Sequence, residues 1–78
     1  MRTVNESYTS AASVTPHDTN NIRTTRAIYV GVSGDVKVDM VDGSTVTFTG
    51  LTANAFHPIS ARRVYSTGTT ATGIIALY

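Results

Sequence analysis

The run DVKVDM, residues 35–40, alternates charged and apolar side chains one by one. Successive side chains of an extended chain point to opposite faces. This stretch therefore buries Val36, Val38 and Met40 together only as a β-strand with one wet face. A helix would scatter the same residues around its circumference. The neighbouring runs keep the same period. AIYVGV (27–32) sets Ile28, Val30 and Val32 against Ala27, Tyr29 and Gly31, and STVTFT (44–49) sets Val46 and Phe48 against Thr45, Thr47 and Thr49. β-Branched and aromatic residues fill these runs, as strands prefer. Ser33-Gly34 and Asp42-Gly43 separate them. An Asp-Gly pair between alternating runs favours a hairpin, because glycine accepts the positive φ of a type I′ turn. Residues 27–49 are therefore predicted to form a three-stranded meander.

LTANAFHPI (51–59) reads as a connection, and Pro58 places the next strand's start at a sheet edge or at its first residue. ISARRVY (59–65) alternates imperfectly, with Ile59, Ala61, Arg63 and Tyr65 opposite Ser60, Arg62 and Val64. Its adjacent arginines fit a bulge that turns both outward. STGTTATG (66–73) reads as a loop, and IIALY (74–78) as a final strand that is apolar on both faces. Such a strand needs cover on both sides, and in so short a chain the second cover is expected from another subunit. The segment before Ala27 is polar and lacks apolar periodicity. Within it, Ala11–Val14 can add a strand that Pro16 ends, and HDTNN (17–21) reads as a turn. The segment is either a frayed terminus or an extended arm ordered against a neighbour. With no helical spacing anywhere, the expected fold is all-β: a small antiparallel β-sandwich or barrel, one domain over 1–78, with an extended polar arm (1–26) and a β core (27–78).

Size sharpens the expectation of partners. Below roughly 70–80 residues a single core rarely supplies more than about 3–5 kcal/mol. This chain has 78 residues, no cysteine for a disulfide or thiolate zinc site, and two histidines. Oligomerisation is the remaining remedy. Six basic and five acidic residues leave a formal charge of +1 with no basic stripe. That argues against nucleic acid, whose binding needs many neutralised phosphates. No apolar run approaches the roughly 20 residues of a membrane span, and MRTVNESYTSAAS lacks a signal peptide's apolar stretch. No membrane partner is expected, and the chain is expected to be soluble and made in the cytoplasm.

No constellation meets the requirements of an active site. His57 lies between Phe56 and Pro58 and reads as a loop histidine. His17 and Asp18 sit side by side in a turn, where adjacent residues seldom give the geometry of an oriented base. No GxxxxGK[ST] motif precedes a helix. The expectation is a non-enzyme with no catalytic, cofactor-binding or metal residues. Arg62 and Arg63 are the candidates for specific polar contact, since arginine's planar fork pairs with carboxylates and stacks on aromatics. Tyr65 and Tyr78 offer amphipathic contact area. The expected subunit or capsid contact set is Val14, Arg62, Arg63, Tyr65, Ile74, Ile75, Leu77 and Tyr78.

Arg26–Val38, Gly43–Leu51, Pro58–Val64 and Thr67–Tyr78, ending in TGTTATGIIALY, resemble the spike-base or head-decoration proteins of tailed bacteriophages and gene-transfer agents. Ala11–Asp18 matches an AxxVTPxD segment of the same family, and together the matches span about two thirds of the chain. Met40-Val41-Asp42 is less charged than the family pattern, and Asn20-Asn21-Ile22 replaces a more proline-rich stretch. The resemblance implies a structural virion protein on the outer capsid surface, made in the host bacterial cytoplasm. It implies a homo-oligomer, trimer before pentamer, that cements neighbouring major capsid proteins. The alternative is a vertex or tail adaptor that seats a spike or fibre. A different class is a small barrel that stacks single-stranded nucleic acid or sugar on Tyr29, Phe48 and Phe56.

Overall fold

A computed structural model of the chain describes residues 8–78. Seven strands form: β1 (Ala11–Ser13), β2 (Ala27–Val30), β3 (Gly34–Met40), β4 (Thr45–Leu51), β5 (Ala55–His57), β6 (Ala61–Val64) and β7 (Ile75–Leu77). They make two antiparallel sheets, one ordered β1-β7-β2-β5 and the other β4-β3-β6. The protein is a small all-β sandwich. Ile28 and Val30 from the first sheet meet Val36, Val38, Ala61 and Val64 from the second, with Ile59, Ala71 and Ile74 closing the core. The alternation of β2 and β3 thus delivers its valines and isoleucine inward as expected.

The expected meander is corrected. β3 and β4 pair as a hairpin, but β2 lies in the other sheet. Ser33-Gly34 is a crossover between layers, stitched by the isolated bridge Val32–Thr72. A Cβ on Gly34 would stand 2.6 Å from the backbone nitrogen of Ala71 and 2.8 Å from its Cα. The glycine is thus set by a close backbone approach. Val32, expected inside, is 57% exposed because β2 ends at Val30. The β3–β4 turn also departs from type I′. Met40 N–H donates to Ser44 O across a three-residue loop in which Gly43 alone has positive φ, at 95°. That is the three-residue hairpin with glycine at its left-handed position, and Asp42 accepts from the Ser44 N–H at 3.0 Å.

Two bulges shape the second sheet. Gly34↔Leu51 followed by Val36↔Phe48 leaves an extra residue on β4, where Gly50 has φ 66° and its N–H donates to Asp35. Asp39↔Arg63 followed by Met40↔Ala61 leaves Arg62 as the extra residue on β6. The paired arginines therefore mark a bulge as read. The bulge also shifts the phase, so Ala61 and Val64 both point into the core.

Two further expectations fail for one reason: the chain covers itself. β7 is an interior strand between β1 and β2, and Ile74, Ala76 and Leu77 are buried within one copy, with Ile75 half-buried. No second subunit is needed to cover it. The small-residue loop before it serves the interior as well. Gly73 lies against Gly31, where an added Cβ would meet the Gly31 Cα at 3.2 Å. The polar segment before β2 is likewise no free arm over its described length. β1 pairs with β7, Val14 N–H donates to Ile74 O, and His17, Ile22 and Thr25 N–H groups donate to Val64, Arg62 and Ala61 carbonyls. Thr25 is buried, donating its hydroxyl to Ile59 O at 2.6 Å and accepting from Ala61 N–H at 3.0 Å. The part of the expected arm in residues 1–7 lies outside the described residues.

Candidate interaction surface

The outer face of β3 and β6 carries the densest polar cluster. Asp39, expected to be solvated, is 7% exposed. It accepts from the Thr45 hydroxyl at 2.5 Å and from the Tyr65 hydroxyl at 3.0 Å, and Arg63 lies 3.6 Å away. The Thr45 bond, then Tyr65 and the guanidinium charges of Arg63 and Arg62, hold its carboxyl below the usual aspartate range against the opposing effect of burial. Arg63 also donates from Nε to Asn21 Oδ1 at 3.0 Å. Lys37 stands 4.8 Å above the Tyr65 ring and Arg63 5.6 Å from it. Arg63 and Tyr65 are thus committed to contacts within their own chain, while Arg62, on the bulge, points into solvent.

A second cluster ties the HDTNN turn to the loop after β6. Asp18 accepts from the N–H groups of Ser66 and Thr67 at 2.9 and 2.8 Å, and from the Thr67 hydroxyl at 2.7 Å. The Thr67 bonds, with Ser66 and the neighbouring His17, pull its carboxyl below the ordinary value. His17 does not pair with Asp18: its Nδ1 is 3.1 Å from the Thr19 N–H. His57 Nε2 lies 3.0 Å from Thr52 O. The two histidines sit in separate loop contacts. The described residues hold no group of three or more His, Cys, Asp or Glu side chains placed to grip a metal ion.

The remaining expected contact residues divide by exposure. Ile74 and Leu77 are buried in one chain, so they leave the contact set. Val14 and Ile75 are half-buried, and Val14 packs against the core. Tyr78 is held between the chain's own elements, with its N–H donated to Ser10 O and the Arg23 guanidinium 4.4 Å over its ring. The stacking trio does not assemble. Tyr29 and Phe56 meet edge-on at 5.7 Å, whereas Phe48 belongs to the other sheet and packs on the core.

What sequence reasoning missed is the apolar surface that stays open. Phe56 is 61% exposed, Val41 56% and Val46 39%. β5 was read as part of a connection because three residues give too short a run to show alternation. β4 is exposed along most of its length, and its sheet ends there. A single edge position is not visible in a run that alternates as regularly as any central strand.

Among solved structures, the chain superposes on a chain from the capsid of a native GTA particle computed with C5 symmetry, with a TM-score of 0.82. The two are 32% identical, and the match covers 92% of this chain and 84% of that one. This chain belongs to the family of that capsid protein. No protein-family model and no curated protein matches the sequence. As a member of this capsid family, the protein is expected to work through surfaces. Asp18, Asp39, Arg63 and Tyr65 all bond side chains or backbone groups of their own chain.

Proposed function

We propose that this protein is a capsid decoration, or cement, protein: a homo-oligomer, trimeric before pentameric, that binds the outer face of a phage-type head and bridges major capsid subunits. The likeness to a GTA capsid chain over nearly the full length of both proteins carries the reading. The exposed Arg62, Val41, Val46 and Phe56 supply polar and apolar contact points of the kind such binding uses. Reinforcement follows from mass action. A ligand that binds only the closed shell adds free energy that must be lost before the shell opens, and contacts spanning several subunits add their effects through effective concentration. The chemistry requires no catalyst, and no enzymatic activity is proposed.

A second reading is a vertex adaptor that seats a spike or fibre, which the resemblance of TGTTATGIIALY to spike-base proteins implies. A five-fold ring suits a vertex and a trimer suits a three-fold position. Co-sedimentation of purified chain with assembled shells tests both. Saturable binding to shells, with none to isolated shell subunits, is expected. Electron micrographs of saturated shells that show the added chain at the five-fold vertices alone would favour the adaptor, and failure to bind shells would overturn both readings.

A further inference from the structure

The sandwich has four sheet edges, and three are blunted within one copy. β1 and β5 are three residues long, too short to template much pairing. The β6 edge is occupied by the chain's own His17, Ile22 and Thr25 amides, which donate to the Val64, Arg62 and Ala61 carbonyls. β4 is seven residues long and has no partner on its outer side among the described residues. Natural edges of this length are commonly guarded by a charge or a proline. β4 reads TVTFTGL and carries neither. Only the bulge at Gly50 interrupts it.

Hydrogen bonds on both sides of β3 fix which backbone groups β4 leaves open. Met40 N–H donates to Ser44 O, so the ladder's alternation turns Val46 and Phe48 toward their partners Val38 and Val36. Lys37, between those partners, bonds away from β4. Its N–H donates to Thr69 Oγ1 at 3.0 Å, and its carbonyl accepts from Tyr65 N–H at 2.8 Å. Thr47, opposite Lys37, and Thr45, opposite Asp39, therefore point their amides and carbonyls outward. Val46 stands between them. Its side chain shares the inner face with Val38, yet it is 39% exposed.

The chemistry of this side selects the occupant. From Gly43 to Ala61 the chain has no Asp, Glu, Lys or Arg. A charged partner finds no counter-charge along the edge, whereas a second copy of β4 meets no like charge. Antiparallel pairing about a two-fold axis at Val46 sets Thr45 of each copy opposite Thr47 of the other. Those are the residues whose groups point outward, so each open amide finds an open carbonyl. Threonine opposite threonine is a favourable cross-strand pair, and the exposed flank of Val46 is covered by its own counterpart. An axis at Thr47 would instead call on Thr49, which the bulge takes out of the ladder.

We propose that β4 is a two-fold contact between copies of this chain, in which the two strands pair antiparallel about Val46 and join two three-stranded sheets into one. The inference rests on the self-assembly in the proposed function and adds a contact to it. An isologous pairing cannot build a ring of three or five, so it ties a copy in one ring to a copy in the next.

The sequence has no cysteine, so a single introduced thiol reports on one position. Across the axis the two Val46 Cα atoms would stand about 4.5 Å apart, within disulfide reach. The full chain carrying Val46→Cys, oxidised mildly alone and on saturated shells, should form a disulfide-linked dimer. Thr49→Cys is equally open but would lie about 20 Å from its counterpart, and it should not cross-link. Val46→Lys and Val46→Glu each put like charges across the axis. Each should remove the contact from the sedimentation profile with an unchanged circular dichroism spectrum, and mixing the two should restore it. A profile that neither charge alters, or a mixture that restores nothing, would overturn the pairing. Shell binding that persists while Val46→Cys stays unlinked would overturn the β4 contact and leave the proposed function standing. Failure of the unaltered chain to bind shells, with Val46→Cys still linking in solution, would overturn the proposed function and support the contact.

Discussion

Thr25 is one threonine among many in the sequence, yet it is the polar side chain on which the junction of the first segment with β6 turns. Its hydroxyl serves Ile59 O and Ala61 N–H in a place that water does not reach. Thr25→Val keeps the shape and strands both partners. It should cost about 1–3 kcal/mol, read as a lower urea midpoint with an unchanged slope, while Thr25→Ser should retain most of the stability. Gly34→Ala drives a methyl into the Ala71 backbone. The expected loss is about 1–3 kcal/mol from overpacking, measured by the same titration. Asp18 gives a pH dependence with a definite sign. Its folded-state pKa lies below the ordinary 3.8 because Thr67 and Ser66 bond the carboxylate. The stability it adds is therefore complete above the unfolded value and is lost as pH falls through the folded one. Thermal unfolding should show a falling midpoint below about pH 4. Asp18→Asn should be less stable at neutral pH and lose less on acidification.

At the scale of elements, β7 decides how the chain is understood. Its two apolar faces led to the expectation of cover by another subunit, whereas β1, β2 and the facing sheet enclose it. Deleting Gly73–Tyr78 should therefore unfold the domain, seen as collapse of amide dispersion in an NMR spectrum. A folded monomer that had lost assembly alone would contradict this placement. The strands themselves were legible wherever side chains alternate, as in β2, β3 and β4, and the double arginine marked the β6 bulge. Sheet membership was not legible. Ser33-Gly34 has the chemistry of a hairpin turn, and only the packing of Gly34 against Ala71 makes it a crossover. Between Thr9 and Thr25 the short strand at Ala11–Val14 was legible and forms as β1, but the docking of the segment on the fold was not, for a different reason. The segment joins the fold largely through backbone amides, which leave no pattern in side chains. Of the candidate contact residues, Arg62 was placed outward correctly. Arg63 and Tyr65 were expected to meet another subunit or the capsid, but both contact Asp39 of their own chain across the sheet, beyond what local spacing reveals.

For the whole molecule, one copy already closes its core, seals the β6 edge and satisfies its buried side chains. No buried polar side-chain atom among the described residues lacks a partner. What it leaves open is a long uncharged edge with apolar residues beside it. A fold complete in itself with one side unfinished suits a part that is added to a shell already built. The reinforcement claim is tested most directly by calorimetry of assembled shells at increasing ratios of bound chain. The account predicts that the temperature of shell opening rises with occupancy and levels off once every site is filled. An opening temperature that does not move at saturating occupancy would contradict it.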